Sequence, residues 1–343
     1  MKILSFVRIM FLARNRWSRP LLLFLSTIAI VIVFVMIEMN NAKIIIFPLL
    51  LLFFYNLVIE TWVGLAFISP GKKKKKDLVS KGWFSQFHNL DTTIHSMSHF
   101  DNKVRPLVII IHGWRSGASS MLGRAENYIN LGFHVIIFEL PGHGKSESVS
   151  KWTAGHASTT FNDFFDDLEN SFDMRFVEDI YLHGHSMGGF VLLRFDRLIS
   201  STDSRIKGYI LESPMTCYSM IFEESLRTLK IPRFAENLFW RRLSKHFNKI
   251  NPRIADVSEL IDVDTPNWGL IRNNCIVIQA EHDDRLGLVH YHRLIEHQQK
   301  IPNYIFEHHL VEDLTHAGAR ENINRNILIE QWLNKVKNHS DSV

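Results

Sequence analysis

Just past the middle of the chain stands Gly184-His185-Ser186-Met187-Gly188, a serine with a glycine two residues away on each side. The apolar residues before it read as a strand, and the amphipathic stretch after it as a helix. A sharp strand-to-helix turn lifts a serine hydroxyl above the sheet, and Gly184 and Gly188 leave room for the strained backbone. Ser186 is therefore the candidate nucleophile, with Gly184, His185 and Gly188 completing the elbow. A neutral hydroxyl attacks poorly, so a base must accept its proton. After such an elbow the partners follow in the order Ser, acid, His. Of eighteen histidines, His316 sits just beyond the last apolar run, where a loop can return it to the carboxyl edge of the sheet. His308 and His309 fall inside that run and read as strand residues. The acid is expected after the preceding strand, at Glu281-His282-Asp283-Asp284-Arg285; Asp283 is the choice, Asp284 the alternative, and Glu212 a third placement. Its carboxylate would fix the imidazole tautomer and stabilise the imidazolium.

Attack on a carbonyl also needs N–H donors for the developing oxyanion. The Met187 amide, at a helix start whose dipole favours negative charge, is one candidate. The Trp114 amide, in His112-Gly113-Trp114, is the other. His112 is expected to shape that loop, and Pro141-Gly142-His143-Gly144-Lys145-Ser146 to form a tight turn.

These residues require a scaffold that brings distant loops to one edge. Alternating segments at 83–88 and 92–99 predict an antiparallel hairpin at a sheet edge. β-Rich runs at 107–111, 133–140, 179–183, 206–211, 275–280 and 304–311 alternate with helical patterns at 119–130, 158–172, 187–198 and 317–336. That alternation predicts a mostly parallel α/β sheet with helices on both faces.

Taken together, His112-Gly113, the segment 141–146, Gly184-His185-Ser186-Met187-Gly188-Gly189, Glu212-Ser213-Pro214 and Thr315-His316-Ala317 make the chain similar to α/β-hydrolases of the serine aminopeptidase S33, monoacylglycerol lipase and lysophospholipase group. The resemblance covers about 107–316 and is specific for the fold, not for a substrate. Ala280 stands where many relatives have glycine, and the doubled aspartate departs from the usual acid loop. The resemblance implies a lid at about 214–273. Within it, 227–253 holds eight basic residues and one acid, Glu236, among aromatic side chains. This reads either as a surface for anionic lipid or as an ordinary cap with solvated charges.

The net charge of +4 is unevenly spread: the first 76 residues carry eleven Lys or Arg against Glu38 and Glu60, leaving an acidic remainder. That distribution argues against nucleic acid as a partner. Apolar stretches at 21–37 and 44–68 are each long enough to span a bilayer. The first exceeds a signal-peptide apolar core and lacks a cleavage site. Basic flanks on both sides of the pair predict a two-span hairpin with the large domain cytoplasmic. Glu60, costly in hydrocarbon, is expected to mark the end of the second helix.

The expected organisation is a membrane hairpin over 1–70, a polylysine linker over 71–77 and an α/β-hydrolase domain over 78–343. The two cysteines, Cys217 and Cys275, form no framework, and the histidines show no metal-ligand spacing, so neither metal nor organic cofactor is implied. The expected activity is hydrolysis of a carboxylic ester of lipid character, a lysophospholipid or monoacylglycerol, through an acyl-enzyme. A peptidase or acyltransferase on the same scaffold, or a non-catalytic membrane scaffold, are the competing readings.

Overall fold

β-Branched runs pair into a single eight-stranded sheet in the computed structural model, which describes residues 15–37, 40–70, 82–198, 204–302, 304–317 and 321–340. The polylysine linker lies outside the described residues. The strands are β1 (Phe84–Asn89), β2 (Thr93–His99), β3 (Arg105–Ile111), β4 (His134–Phe138), β5 (Val177–His185), β6 (Ile206–Glu212), β7 (Cys275–Ala280) and β8 (Phe306–Val311). Their order is β1-β2-β4-β3-β5-β6-β7-β8. β1 and β2 form an antiparallel hairpin at one edge, β2 joins β4 antiparallel, and every pair from β4 to β8 is parallel. The mostly parallel sheet anticipated from the strand–helix alternation is thus present, with its antiparallel edge.

The helices are α1 (Ser18–Met36), α2 (Asn40–Ala66), α3 (Leu122–Asn130), α4 (Ala154–Asp166), α5 (Leu168–Ser171), α6 (Met187–Leu198), α7 (Ser219–Thr228), α8 (Arg233–Ile250), α9 (Leu288–Gln298) and α10 (Ile323–Ser340). Strand side chains alternate between the faces of the sheet. Val108, Ile110, Val135, Ile137, Ile210, Ile276 and Ile278 meet Ala125 and Tyr128 of α3 and Trp332 and Val336 of α10 on one face. On the other, Phe138 packs on Phe161 and Phe164 of α4, and Phe161 in turn on Phe195 of α6. Burial on both faces explains why β3 and β4 read as continuous apolar runs.

Two compact units emerge. The larger comprises Pro70–Ser148, Ala154–Ser219 and Glu259–Val343 and contains the sheet. The smaller comprises Met1–Ser69, Val149–Thr153 and Met220–Ser258: the two apolar helices together with most of the 214–273 insertion. In that insertion Phe222 stacks on Phe239 and meets Trp240 edge-on, so α7 and α8 share an aromatic seam. α1 and α2 are long and apolar enough to cross a membrane. The second does not stop at Glu60: it runs to Ala66, because Glu60 is buried among cationic side chains that replace the water it would otherwise need.

Candidate active site

β5 ends at His185 and α6 begins at Met187, which leaves Ser186 alone to make the turn, at φ 53°. A left-handed non-glycine residue costs about 1–3 kcal/mol and persists only where its surroundings hold it. Here the Ser186 N–H donates to the Glu212 carbonyl at 3.0 Å, and the Ser186 carbonyl accepts from Gly189 and Met215 at 3.0 and 3.1 Å. The glycines make the turn possible. A Cβ on Gly184 would lie 2.6 Å from the backbone of Gly188 and Gly189, and one on Gly188 would run into the Ile111 carbonyl.

His316, on the loop after β8, has its Nε2 3.0 Å from the Ser186 Oγ and its Nδ1 2.7 Å from the Asp283 Oδ2. With Nδ1–H donating to the carboxylate, Nε2 is left to accept the serine proton, the tautomer a general base requires. Asp283, three residues beyond β7, is held on every side: its Oδ2 also accepts from Gln279 Nε2 at 2.9 Å, and its Oδ1 accepts from the Arg285 and Leu286 amides at 2.9 and 2.8 Å. Burial works against its charge, but the His316 bond and the Leu286 and Arg285 amides together hold the carboxyl well below the usual range. Asp284 turns outward with its side chain 76% exposed beside Arg285. Glu212 is engaged elsewhere, bound by Arg124 and 3.3 Å from His183 in a buried network. His308 bonds Tyr291 and His309 lies beside Glu307, both within β8. Of the residues weighed for base and acid, the fold brings His316 and Asp283 to Ser186.

The loop after β3 reaches the same place. A Cβ on Gly113 would sit 3.1 Å from the Ser186 Cβ and 3.5 Å from its Oγ. His112 is locked: its Nε2 accepts the Leu140 N–H at 3.1 Å, so its Nδ1 carries the proton and donates to the Gly113 carbonyl at 2.8 Å. That carbonyl and the Trp114 N–H belong to one peptide plane and point in opposite directions, so His112 fixes where the amide aims. The Trp114 ring rests edge-on against His143, 5.2 Å between centroids. Met187 is the first residue of α6, where amides lack helical acceptors.

Two supporting groups, His185 of the elbow and Glu139, act through partners that no local sequence signal reveals. His185 is pushed down to about 3 by burial and by Arg124; its Nε2 is 2.7 Å from the His316 carbonyl, which steadies the backbone that carries the base. Glu139, at the end of β4, accepts from the Ala118 amide at 2.8 Å and the Lys145 amide at 2.7 Å, and bonds His95 Nδ1 at 2.8 Å. It thereby ties the loop after β3 to the 141–146 turn. Burial raises its pKa, yet the His95 bond, His112 and the two amides bring it to about 2. Among the described residues there is no group of three or more His, Cys, Asp or Glu able to hold a metal ion.

Comparison with known proteins bears on this geometry. Residues 102–268 match the family model described as serine aminopeptidase, S33. That stretch contains Ser186 and stops short of Asp283 and His316. The chain is 32% identical to phospholipase YtpA of Bacillus subtilis over 114 residues, 32% of this chain and 40% of that protein. It is 34% identical to a non-heme chloroperoxidase of Kitasatospora aureofaciens over 88 residues, 26% of this chain and 30% of that one. The chain thus spans well under half the length of either curated relative. Among solved structures, an esterase of Pyrococcus furiosus superposes with a TM-score of 0.58 at 15% identity, covering 79% of this chain and 98% of its own. A soluble variant of monoglyceride lipase from Saccharomyces cerevisiae, in complex with a substrate analog, gives 0.54 at 15% identity, covering 77% and 99%. The fold is that of the α/β-hydrolases, and the chain resembles their serine aminopeptidase S33 group.

Proposed function

We propose that this chain, an α/β-hydrolase by fold, is a serine hydrolase that cleaves carboxylic esters through an acyl-enzyme, with Ser186 as nucleophile, His316 as base and Asp283 as the acid that orients it. The observation that carries this reading is the continuous hydrogen-bond relay from Asp283 through His316 to the strained Ser186. In the first half-reaction His316 Nε2 takes the Ser186 proton as Oγ bonds the ester carbonyl carbon. The carbonyl oxygen becomes an oxyanion, met by the Met187 and Trp114 N–H groups. Collapse expels the alkoxide, which receives the proton from His316. Water then repeats the sequence on the acyl-enzyme, releasing the acid and restoring Ser186. Asp283 stays ionised throughout and stabilises the imidazolium.

The substrate we infer is lipid-like, a lysophospholipid or monoacylglycerol. Support comes from the apolar helix pair and from relatives named as a phospholipase and a monoglyceride lipase. A hairpin that keeps the enzyme at a bilayer, with the catalytic unit on the cytoplasmic side, would set it beside such a substrate. The test is turnover of short and long acyl esters by the purified full-length protein and its Ser186→Ala variant. Hydrolysis of long-chain esters that vanishes in the variant is expected. Turnover confined to short esters would remove the lipid assignment, transfer to an added alcohol in preference to water would indicate an acyltransferase, and no turnover of any ester would defeat the proposal.

A further inference from the structure

The exposed basic ridge of α8 is unexplained by the catalytic relay, and the smaller unit supplies a reason for its position. Along α2 most apolar side chains from Ile44 to Phe54 are exposed and none is buried, whereas Ile59, Glu60, Val63 and Phe67 are buried by protein. α1 changes at the matching level, with Ser18 and Pro20 buried and most apolar residues from Leu21 onward exposed. A Cβ on Gly64 would press within 2.8 Å of the Arg16 carbonyl, so the two helices meet closely there. At 27 residues α2 is about 40 Å long, longer than the roughly 30 Å hydrocarbon core. Its last turns therefore emerge from the core, and the switch near Ile59 marks the emergence.

α8 is fastened at that level. Arg242 donates to the Asn56 Oδ1 at 3.2 Å and reaches the Glu60 Oε1 at 3.8 Å. His246 Nε2 lies 3.2 Å from the Glu60 Oε2, while its Nδ1 is 3.1 Å from the Lys151 Nζ. Arg19, from the start of α1, approaches the same carboxylate at 3.3 Å. One buried carboxylate thus binds groups from α1 and α8, and through His246 the 149–153 segment. Removing it would leave cations crowded without a counter-charge, the costly way to break such a cluster. Beside these anchors in sequence, Arg241, Lys245 and Lys249 recur every four residues and are exposed, with Phe234 77% exposed toward the start of the same helix. Residues four apart share a helix face, so the three cations form one ridge.

We propose that this ridge, with Phe234, binds anionic phospholipid headgroups of the bilayer that α1 and α2 enter, and that Glu60 is the latch holding it at headgroup level. The inference rests on the membrane-hairpin reading and adds to it a lipid-selective surface. The occupant follows from charge and depth: three exposed cations at the height where α2 leaves the hydrocarbon face phosphate-bearing headgroups, and the cationic preference grows about fivefold for each basic residue near an anionic surface.

Cys217 and Cys275 are buried, so a single introduced cysteine can carry an environment-sensitive fluorophore. The full chain, labelled at Phe234→Cys, is reconstituted with brominated phosphatidylserine in unbrominated phosphatidylcholine, and separately with the brominated carbon chains on phosphatidylcholine. Quenching by the anionic lipid should exceed quenching by phosphatidylcholine severalfold at low salt. The excess should disappear at high salt and in R241Q/K245Q/K249Q, whose exposed positions spare the fold. Equal quenching by both lipids in the parent, or an excess that survives the triple substitution, overturns the proposal. A second label at Leu52→Cys, on the exposed apolar face of α2, separates the two readings. If it is unquenched the hairpin does not enter the bilayer; if it is quenched while Phe234 shows no lipid preference, only the ridge assignment fails.

Discussion

Ser186 differs from other serines in the chain through its two neighbours in space rather than its neighbours in sequence: an imidazole 3.0 Å from its oxygen and a carboxylate 2.7 Å beyond. Asp283→Asn would keep the shape and reverse the hydrogen bond, favouring the wrong imidazole tautomer. We expect kcat to fall about 10⁴-fold with KM little changed. Asp284→Asn, on an exposed side chain, should stay within about twofold. Steady-state kinetics of the two variants side by side checks which aspartate serves. Glu139 makes a different prediction, because its charge acts on the fold. Its carboxyl moves from an ordinary 4.5 to about 2 on folding, so ionisation stabilises the folded state above pH 4.5 and that contribution is lost as pH falls toward 2. The difference corresponds to about 3 kcal/mol. In thermal unfolding, Glu139→Gln should therefore lie well below the parent at neutral pH, and the two curves should converge as pH falls through that window.

At the scale of elements, the elbow is built by β5 running straight into α6 with one residue between them. Gly188→Ala would push a methyl into the Ile111 carbonyl of the neighbouring strand. A loss of about 1–3 kcal/mol in stability is expected, together with loss of active-site labelling under conditions where the protein remains folded. Unfolding curves combined with labelling measure both. The elbow was legible in sequence because strand, glycines, serine and helix are contiguous, and the order of acid and base follows from the strand order. The sheet strands were legible for the same local reason, since burial on both faces leaves continuous apolar runs. The helix α9 carried a weaker signal, its histidines and charges diluting the apolar spacing. Glu139 could not be assigned from sequence, and His185 could be placed in the elbow but not given its bond, because their meaning lies in distant partners: Ala118 and His95 are 21 and 44 residues from Glu139, and His316 is 131 from His185. The extent of α2 past Glu60 was hidden in the same way, since the cations that pair with that carboxylate come from remote segments.

For the molecule as a whole, the sequence interval between β6 and β7 is divided: Met220–Ser258 is grouped with the hydrophobic helix pair, and its flanks with the sheet. A chain organised this way places the two apolar helices and most of the insertion in one unit. Basic residues on both flanks of the apolar helix pair are the basis of the proposed two-span topology, which places the short turn near Asn40 across the membrane. A cysteine placed in that turn should react with an impermeant maleimide added to intact cells, whereas one at an exposed site of the large unit, such as Glu178, should react only after lysis. Reaction of the Glu178 site but not the turn before lysis would indicate the opposite orientation of the large unit, and reaction of both before lysis would contradict a two-span hairpin.

The most direct test of the central claim is to treat the full-length protein with a fluorophosphonate and map the adduct by peptide mass. The relay from Asp283 through His316 predicts rapid, stoichiometric modification of Ser186, absent in Ser186→Ala and slowed by orders of magnitude in His316→Gln. Modification at another residue, or a Ser186 that reacts equally fast without His316, would contradict it.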